Sequence, residues 1–281
     1  MTLCRYNSRS LIALSGADAA HVLQGLITQD VHALEKSPLL YTAWLNAQGR
    51  YLFDFFLFLI GNTYYAVIES GRSAEFIKML SLYKLRNHVD IQDLSSSFSV
   101  LIDTVPYSPD CPLDTFFKAH DPRYPSLGTI IVVPEKVSVQ NLHDEIHFQN
   151  HRYVLGIAEG SQELSVQKSV IIEYHFDAMT ALSWTKGCYM GQELMARTKH
   201  RGGIHKECMG FTFNAPPQEI GTALYIIETK IGALLCHTQT HGLGLVRHEY
   251  KDLLRANQFH VQDDKGNGLQ LIPSPLSHFF K

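Results

Sequence analysis

From Met209 onward the chain is written in short β-prone runs punctuated by glycine, a texture that few folds accept. Met209–Asn214, Thr222–Ile227, Gly232–Thr238, Leu243–Arg247, Phe259–Asp263 and Leu269–Ile272 each read as a strand. Pro216-Pro217 breaks the first connection, and Lys265-Gly266-Asn267-Gly268 turns the last. Strands this short cannot build a wide open sheet, so the pattern predicts a small barrel or sandwich.

The first half has a different texture. Ser15-Gly16-Ala17-Asp18 has capping-box spacing ahead of a helix with Ala19, Val22, Leu23, Leu26 and Ile27 on one face. Leu39–Leu45 reads as a strand and Asn46-Ala47-Gln48-Gly49 as a turn. Tyr51–Ile60 then folds back through Gly61-Asn62-Thr63 into Tyr64–Glu69 as a hairpin. Ser73 caps a helix carrying Phe76, Ile77, Leu80 and Tyr83, and Val89–Asp93 and Ser99–Asp103 are two more strands. This β-β-α-β-β order predicts an antiparallel sheet with a helix on one face, an α+β arrangement. Beyond it come a loop at Pro106–Pro112, a turn at Asp121-Pro122-Arg123 and a strand at Thr129–Val133. Helices are expected over Ser138–His147 and Asn150–Leu155, the second ended by Gly156, and residues 156 to 185 read mostly as loop. The change of texture places a boundary near residue 205.

A chain of 281 residues is long enough for a sizeable core and more than one domain. With 18% charged residues and a net charge of −3 it lacks the basic excess of a general nucleic-acid binder, although a local basic pocket is compatible with that balance. The five cysteines, Cys4, Cys111, Cys188, Cys208 and Cys236, are odd in number and contain no C-x-x-C pair. Neither a zinc site nor a chain-held cluster is signalled, and a reducing compartment fits. The first residues show neither a signal-peptide core nor an Arg-rich transit segment. The most apolar run, Tyr51–Ile60, contains Asp54 and is too short to cross a bilayer. The expectation is a cytoplasmic bacterial protein.

One stretch concentrates chemistry: Lys186-Gly187-Cys188-Tyr189-Met190-Gly191-Gln192-Glu193, continuing through Arg197 and His200 to Gly202. Gln192 to Arg197 are good helix formers, so Cys188 is expected at or just before a helix N-terminus, where free N–H groups and the dipole favour a thiolate. Lys186 adds positive charge. A lone cysteine is more often a small buried hydrophobe, but the glycines and polar neighbours speak against a core position.

This run resembles the signature of the YgfZ family of folate-dependent iron–sulfur cluster assembly proteins, relatives of the aminomethyltransferase (T-protein) of the glycine cleavage system. The matching positions are Lys186, Gly187, Cys188, Tyr189, Gly191, Gln192, Glu193, Arg197, His200 and Gly202. The likeness extends to Leu14–Ala19, Leu23–Leu26, Gln48-Gly49-Arg50, Asp121-Pro122-Arg123 and Gly156–Gly160, with Ala158 where the family has proline. It implies two α+β regions and a C-terminal β-barrel in a ring: 1–45 with 141–205, then 46–140, then 206–281. It implies tetrahydrofolate as cofactor, iron–sulfur assembly or client proteins as partners, and no nucleic acid or membrane. Cys188 and Lys186 would carry the chemistry, and Asp54, Tyr189, Gln192, Glu193 and Arg197 would bind the folate.

Two readings of Asp54 stand side by side. Alternation with Phe53 and Phe55 puts it on a solvent face, while the resemblance makes it the second of two folate-binding acids, the first replaced by Phe53. In Arg152-Tyr153-Val154-Leu155-Gly156, Val154 stands where T-proteins carry a folate-contacting glutamate. The chain gains a thiol and loses acids, which points away from a folate-dependent aminomethyl or one-carbon transferase, the second function considered. A folate-binding scaffold without chemistry is the third. Among the 15 histidines His237 and His241 have the four-residue spacing that binds metal on a helix, but they fall in β texture, so no metal site is expected. Arg197, Lys199, Arg201 and Lys206 form a basic cluster, either a solvated face or a patch for an anionic tail.

Overall fold

The computed structural model describes residues 3–104, 114–137, 142–201, 203–215 and 219–277. The expected loop at Pro106–Pro112, the start of the expected helix at Ser138, the Pro216-Pro217 break, Cys111, Gly202 and the side chains of His200 and Arg201 lie outside the described residues. The chain divides into two units, Met1–Phe148 with Met179–Glu193, and Gln149–Ala178 with Leu194–Lys281.

The first unit is built on two antiparallel sheets. Its strands are β1 (Leu3–Arg5), β2 (Arg9–Ser15), β3 (Leu40–Leu45), β4 (Tyr51–Ile60), β5 (Thr63–Glu69), β6 (Asp90–Asp93), β7 (Phe98–Asp103), β8 (Phe117–His120) and β9 (Thr129–Pro134). Its helices are α1 (Ala19–Leu26) and α2 (Ser73–Tyr83). The five-stranded sheet has the order β3-β4-β5-β2-β6 and the four-stranded sheet the order β1-β7-β9-β8. The expected single sheet is therefore wrong in one respect: β7 leaves β6 and pairs with β1 and β9 instead. Strands β1 and β2 were not legible, because the unbroken apolar run Leu11–Leu14 carries no alternation.

Both faces of β4 are covered. Phe53 and Phe55 meet Phe76 of α2 at ring distances of 5.3 Å each. On the opposite face Phe58 stacks on Phe117 of β8 at 3.8 Å. A strand covered twice has no solvent face, so the outward reading of Asp54 fails; the residue is 1% exposed. The expected capping box also fails. Asp18 takes the cap position of α1 without a side-chain bond to the helix, and its carboxylate accepts the backbone N–H of His88 at 2.7 Å.

In the second unit, β10 (Lys206–Thr212), β11 (Ala223–Ile226), β12 (Thr229–His237), β13 (His241–Arg247), β14 (His260–Gln262) and β15 (Gly268–Ile272) close into a barrel of order β10-β13-β12-β11-β14-β15. Met209, Phe211, Leu224, Ile231, Val246 and Leu271 fill its core. A short helix missed in the sequence, α5 (Lys251–Ala256), connects β13 to β14. The remaining helices are α3 (Ile146–Leu155) and α4 (Gln192–Arg201). Both the mixed α+β class and the C-terminal barrel agree with the sequence expectation. The two separate helices expected over Ser138–His147 and Asn150–Leu155 do not: described residues 142–145 are not helical, and a single helix, α3, runs from Ile146 to Leu155.

Candidate functional site

The end of α1 explains why the Cys188 stretch has one conformation. A helix leaves its last carbonyls without intrahelical partners, and they carry the negative end of the dipole. Here a lysine far away in sequence meets one of them and two carbonyls just beyond the helix. Lys186 Nζ donates to the carbonyls of Gln24 at 2.7 Å, Ile27 at 2.8 Å and Gln29 at 2.9 Å. Three bonds use all three protons of an ammonium group. The side chain is buried, and that burial pushes its pKa down to about 8 against the opposing pull of Asp30. Its ammonium also lies 5.2 Å from the ring centre of Tyr189.

Further bonds continue along the segment. Thr28 Oγ1 donates to Ala181 O at 2.7 Å, Ser183 N–H donates to Thr28 O at 3.0 Å, and Lys186 N–H donates to Ser183 Oγ at 3.1 Å. On the far side, Met190 N–H donates to Gly25 O at 3.0 Å. Gly191 then passes over the β3–β4 turn with φ +81, so close that a Cβ there would sit 2.6 Å from Asn46 O and 2.9 Å from Gly49 Cα. Only glycine fits such a passage.

Between these anchors Cys188 is exposed, and the space beside Gly187 is open. Trp184 and Thr185 are exposed as well. The thiol stands four residues ahead of Gln192, the first residue of α4. Tyr189 is buried, and burial pushes its phenol up to about 12. Gln192 is half-buried, and Glu193 is exposed in the first turn of α4. Arg197 is exposed and belongs to the second unit.

Asp54 belongs to a separate, sealed cluster. Its carboxylate accepts Arg9 Nη2 at 2.6 Å, Tyr41 Oη at 2.9 Å and Tyr51 Oη at 2.7 Å, and its carbonyl accepts Arg9 Nη1 at 2.9 Å. Burial and the Asp54 charge push the Tyr51 phenol well up. Beside it, Arg123 is ion-paired to Asp121 at 2.6 Å and lies 4.7 Å from the Phe56 ring centre and 5.0 Å from that of Tyr41. In the sequence Asp121-Pro122-Arg123 reads as a turn and as part of the family likeness, and Arg9, Tyr41 and Tyr51 are not singled out. Arg9, a charge just ahead of an apolar run, was the signal available. Among the described residues no group of three or more His, Cys, Asp or Glu is placed to hold a metal, and no helix is long and apolar enough to cross a membrane.

Comparison with known proteins adds the following. Residues 2–105 match the family described as GCVT N-terminal domain. The chain is 30% identical over 247 residues to a Neurospora crassa protein named iron–sulfur cluster assembly factor IBA57 homolog, mitochondrial, covering 77% of this chain and 55% of that protein. A protein of the same name from Dictyostelium discoideum is 31% identical over 242 residues, covering 71% and 59%. The chain thus spans little more than half the length of these relatives. In structure it resembles glycine cleavage system aminomethyltransferase T from Bartonella henselae, with a TM-score of 0.71, 14% identity, and coverage of 98% of this chain and 86% of the other. The shared fold is the one just described. The expectation of a cytoplasmic protein is corrected by the relatives, which are named mitochondrial. That expectation leaned on the first residues of the chain, which carry no weight on location.

Proposed function

We propose that this protein supports the assembly or repair of iron–sulfur clusters in other proteins, with Cys188 as the reactive group. The observation that carries the reading is the contrast at Cys188: an exposed thiol on a segment held from both sides by bonds to α1 and by the close passage of Gly191. A structural cysteine needs no such presentation. The relatives named as iron–sulfur cluster assembly factors support the same reading.

The chemistry open to Cys188 is ligand exchange. A thiolate is the species that binds iron. Cys188 Sγ would replace one thiolate ligand of a cluster carried by a partner and pass its proton to the thiol that leaves, with no change in iron oxidation state. One cysteine cannot satisfy a cluster, so the remaining ligands come from a partner, a second copy or a small thiol. Lys186 acts as a positioning residue in this scheme, because its protons are committed to backbone carbonyls.

Tetrahydrofolate is the cofactor implied by the motif resemblance, but Asp54 and Tyr189, two of the residues named for it, do not fit one. Asp54 has no exposed side-chain surface and takes its bonds from Arg9, Tyr41 and Tyr51. Tyr189 is buried under Lys186. No step here runs through a folate, and the acids that a folate-dependent transferase would use are absent at Phe53 and Val154.

The test is anaerobic incubation with a glutathione-ligated two-iron, two-sulfide cluster, followed by gel filtration and iron and sulfide analysis. Wild type retains cluster and Cys188→Ala does not. Equal retention by the two overturns the role of the thiol.

A further inference from the structure

Two glycines border the thiol segment without a reason in the fold. Gly25 lies inside α1, Gly187 directly precedes Cys188, and both are exposed. They are tied to the same segment: Gly25 O accepts Met190 N–H at 3.0 Å, and Lys186 Nζ bonds the carbonyls of Gln24 and Ile27 to either side of Gly25 in sequence. Neither glycine has a left-handed φ, and a Cβ added at either meets nothing within 4 Å. Gly191, three residues beyond Cys188, is the opposite case, because its φ and its close passage demand glycine. A glycine inside a helix weakens it relative to alanine, since the unfolded chain has most freedom there. Gly25 therefore leaves α1 less stable than a small side chain would make it. Gly71 and Gly268 are equally unconstrained, so freedom alone marks nothing. Gly25 stands apart because its carbonyl holds the segment that carries the thiol.

A second observation concerns the long side chains around it, which are bonded back into the fold. Gln24 Nε2 donates to Asp30 Oδ1 at 2.9 Å, and its Oε1 accepts Val31 N–H at 2.9 Å. Gln29 Nε2 donates to Thr180 O, and its Oε1 accepts Asp30 N–H at 2.8 Å. Lys186 gives its three protons to backbone carbonyls. The long polar side chains before and after Gly25, and the lysine before Gly187, are thus held away from solvent-facing positions where they could sweep over Cys188.

Resting on the cluster role of Cys188 proposed above, we infer that Gly25 and Gly187 are specificity residues of that reaction. They keep the surface beside the thiol bare, so that a two-iron cluster still carrying its other thiolate ligands can lie against it. Exchange of one thiolate at iron brings the bridging sulfides and the remaining ligands into contact with whatever flanks the incoming cysteine. A side chain at either position stands where they must lie. A reagent as small as iodoacetamide needs no such room.

The test compares wild type, Gly25→Leu, Gly187→Leu and Gly71→Leu in the full chain, each incubated with the glutathione-ligated two-iron cluster. Gly25→Leu and Gly187→Leu are expected to retain at least fivefold less cluster than wild type. Their Cys188 should react with iodoacetamide within twofold of the wild-type rate, and their thermal midpoints should be unchanged or higher. Gly71→Leu should retain cluster as wild type does. Wild-type retention by Gly25→Leu and Gly187→Leu overturns the inference while leaving the role of Cys188 standing. A matching loss in Gly71→Leu, a midpoint lowered in both variants, or iodoacetamide blocked along with the cluster also overturns it. Retention that is absent in wild type, or equal in Cys188→Ala, overturns the cluster role itself and this inference with it.

Discussion

Lys186→Met tests directly whether a buried ammonium shapes the Cys188 segment. Each hydrogen bond to a charged group contributes about 1.5–3 kcal/mol, and Lys186 makes three of them, to the carbonyls of Gln24, Ile27 and Gln29. Against this stands the burial that takes its pKa from 10.5 to about 8. At 1.36 kcal/mol per pKa unit that shift costs about 3 kcal/mol. Methionine fills similar volume without either effect and leaves three carbonyls without their donor. The net loss expected is about 2–6 kcal/mol, a fall of about 4–24 °C in the transition of the first unit at the 2–4 °C per kcal/mol of a domain its size. The local consequence is sharper. Met190 N–H, bonded to Gly25 O on the same stretch of α1, should exchange with deuterium at least tenfold faster, and the Cys188-dependent cluster retention should fall although Cys188 is intact. Hydrogen exchange by mass spectrometry and a thermal scan read both effects. A midpoint within 1 °C of wild type and unchanged exchange at Met190 would refute the idea that Lys186 holds the segment.

The other predictions concern neighbouring parts of the same unit and the buried thiols. Gly191→Ala puts a Cβ 2.6 Å from Asn46 O at φ +81, so it should cost about 2–3 kcal/mol and reduce cluster retention; a stability equal to wild type in urea titration contradicts the close passage. Asp54→Asn breaks a pair with no exposed side-chain surface and should lose about 3–5 kcal/mol, with Arg9→Met in the same chain recovering part of it; unchanged stability would mean that the cluster is not structural. Lys186 should titrate near 8 when followed by competitive labelling. Between that value and the unfolded 10.5 the unfolded chain binds more protons. This group's contribution to stability therefore rises as pH climbs through that window, and a labelling midpoint near 10 would contradict the burial. Iodoacetamide should modify Cys188 well before Cys4, Cys208 and Cys236, which are buried, Cys4 and Cys236 with thiols pushed up to about 12; equal rates at Cys188 and Cys208 would count against the exposed position.

Glycine spacing made the barrel readable, because each short run between glycines could only be a strand, and all six strands fell where the alternation put them. The hairpin β4–β5 was readable for the same reason. Residue Asp54 was not, since alternation assigns a face only when one face is wet, and β4 is covered by α2 on one side and β8 on the other. Strand β7 read correctly as a strand but joined the wrong sheet, because a sequence shows pairing partners only when a tight turn links them. At the site, the spacing of Lys186 and Cys188 suggested a charge beside the thiol. The lysine instead reaches the end of α1, a contact between residues more than 150 positions apart that no local pattern encodes. Charged, glycine-free Lys251–Ala256 between two β runs hid α5, since six residues are too few to show a helical face.

The most direct measurement is rescue of iron–sulfur enzyme activity in cells depleted of a protein named iron–sulfur cluster assembly factor IBA57 homolog, comparing wild type with Cys188→Ala at matched protein level and thermal stability. The account predicts that wild type restores those activities and Cys188→Ala does not, while both fold alike because Cys188 is exposed. Full rescue by Cys188→Ala would contradict it.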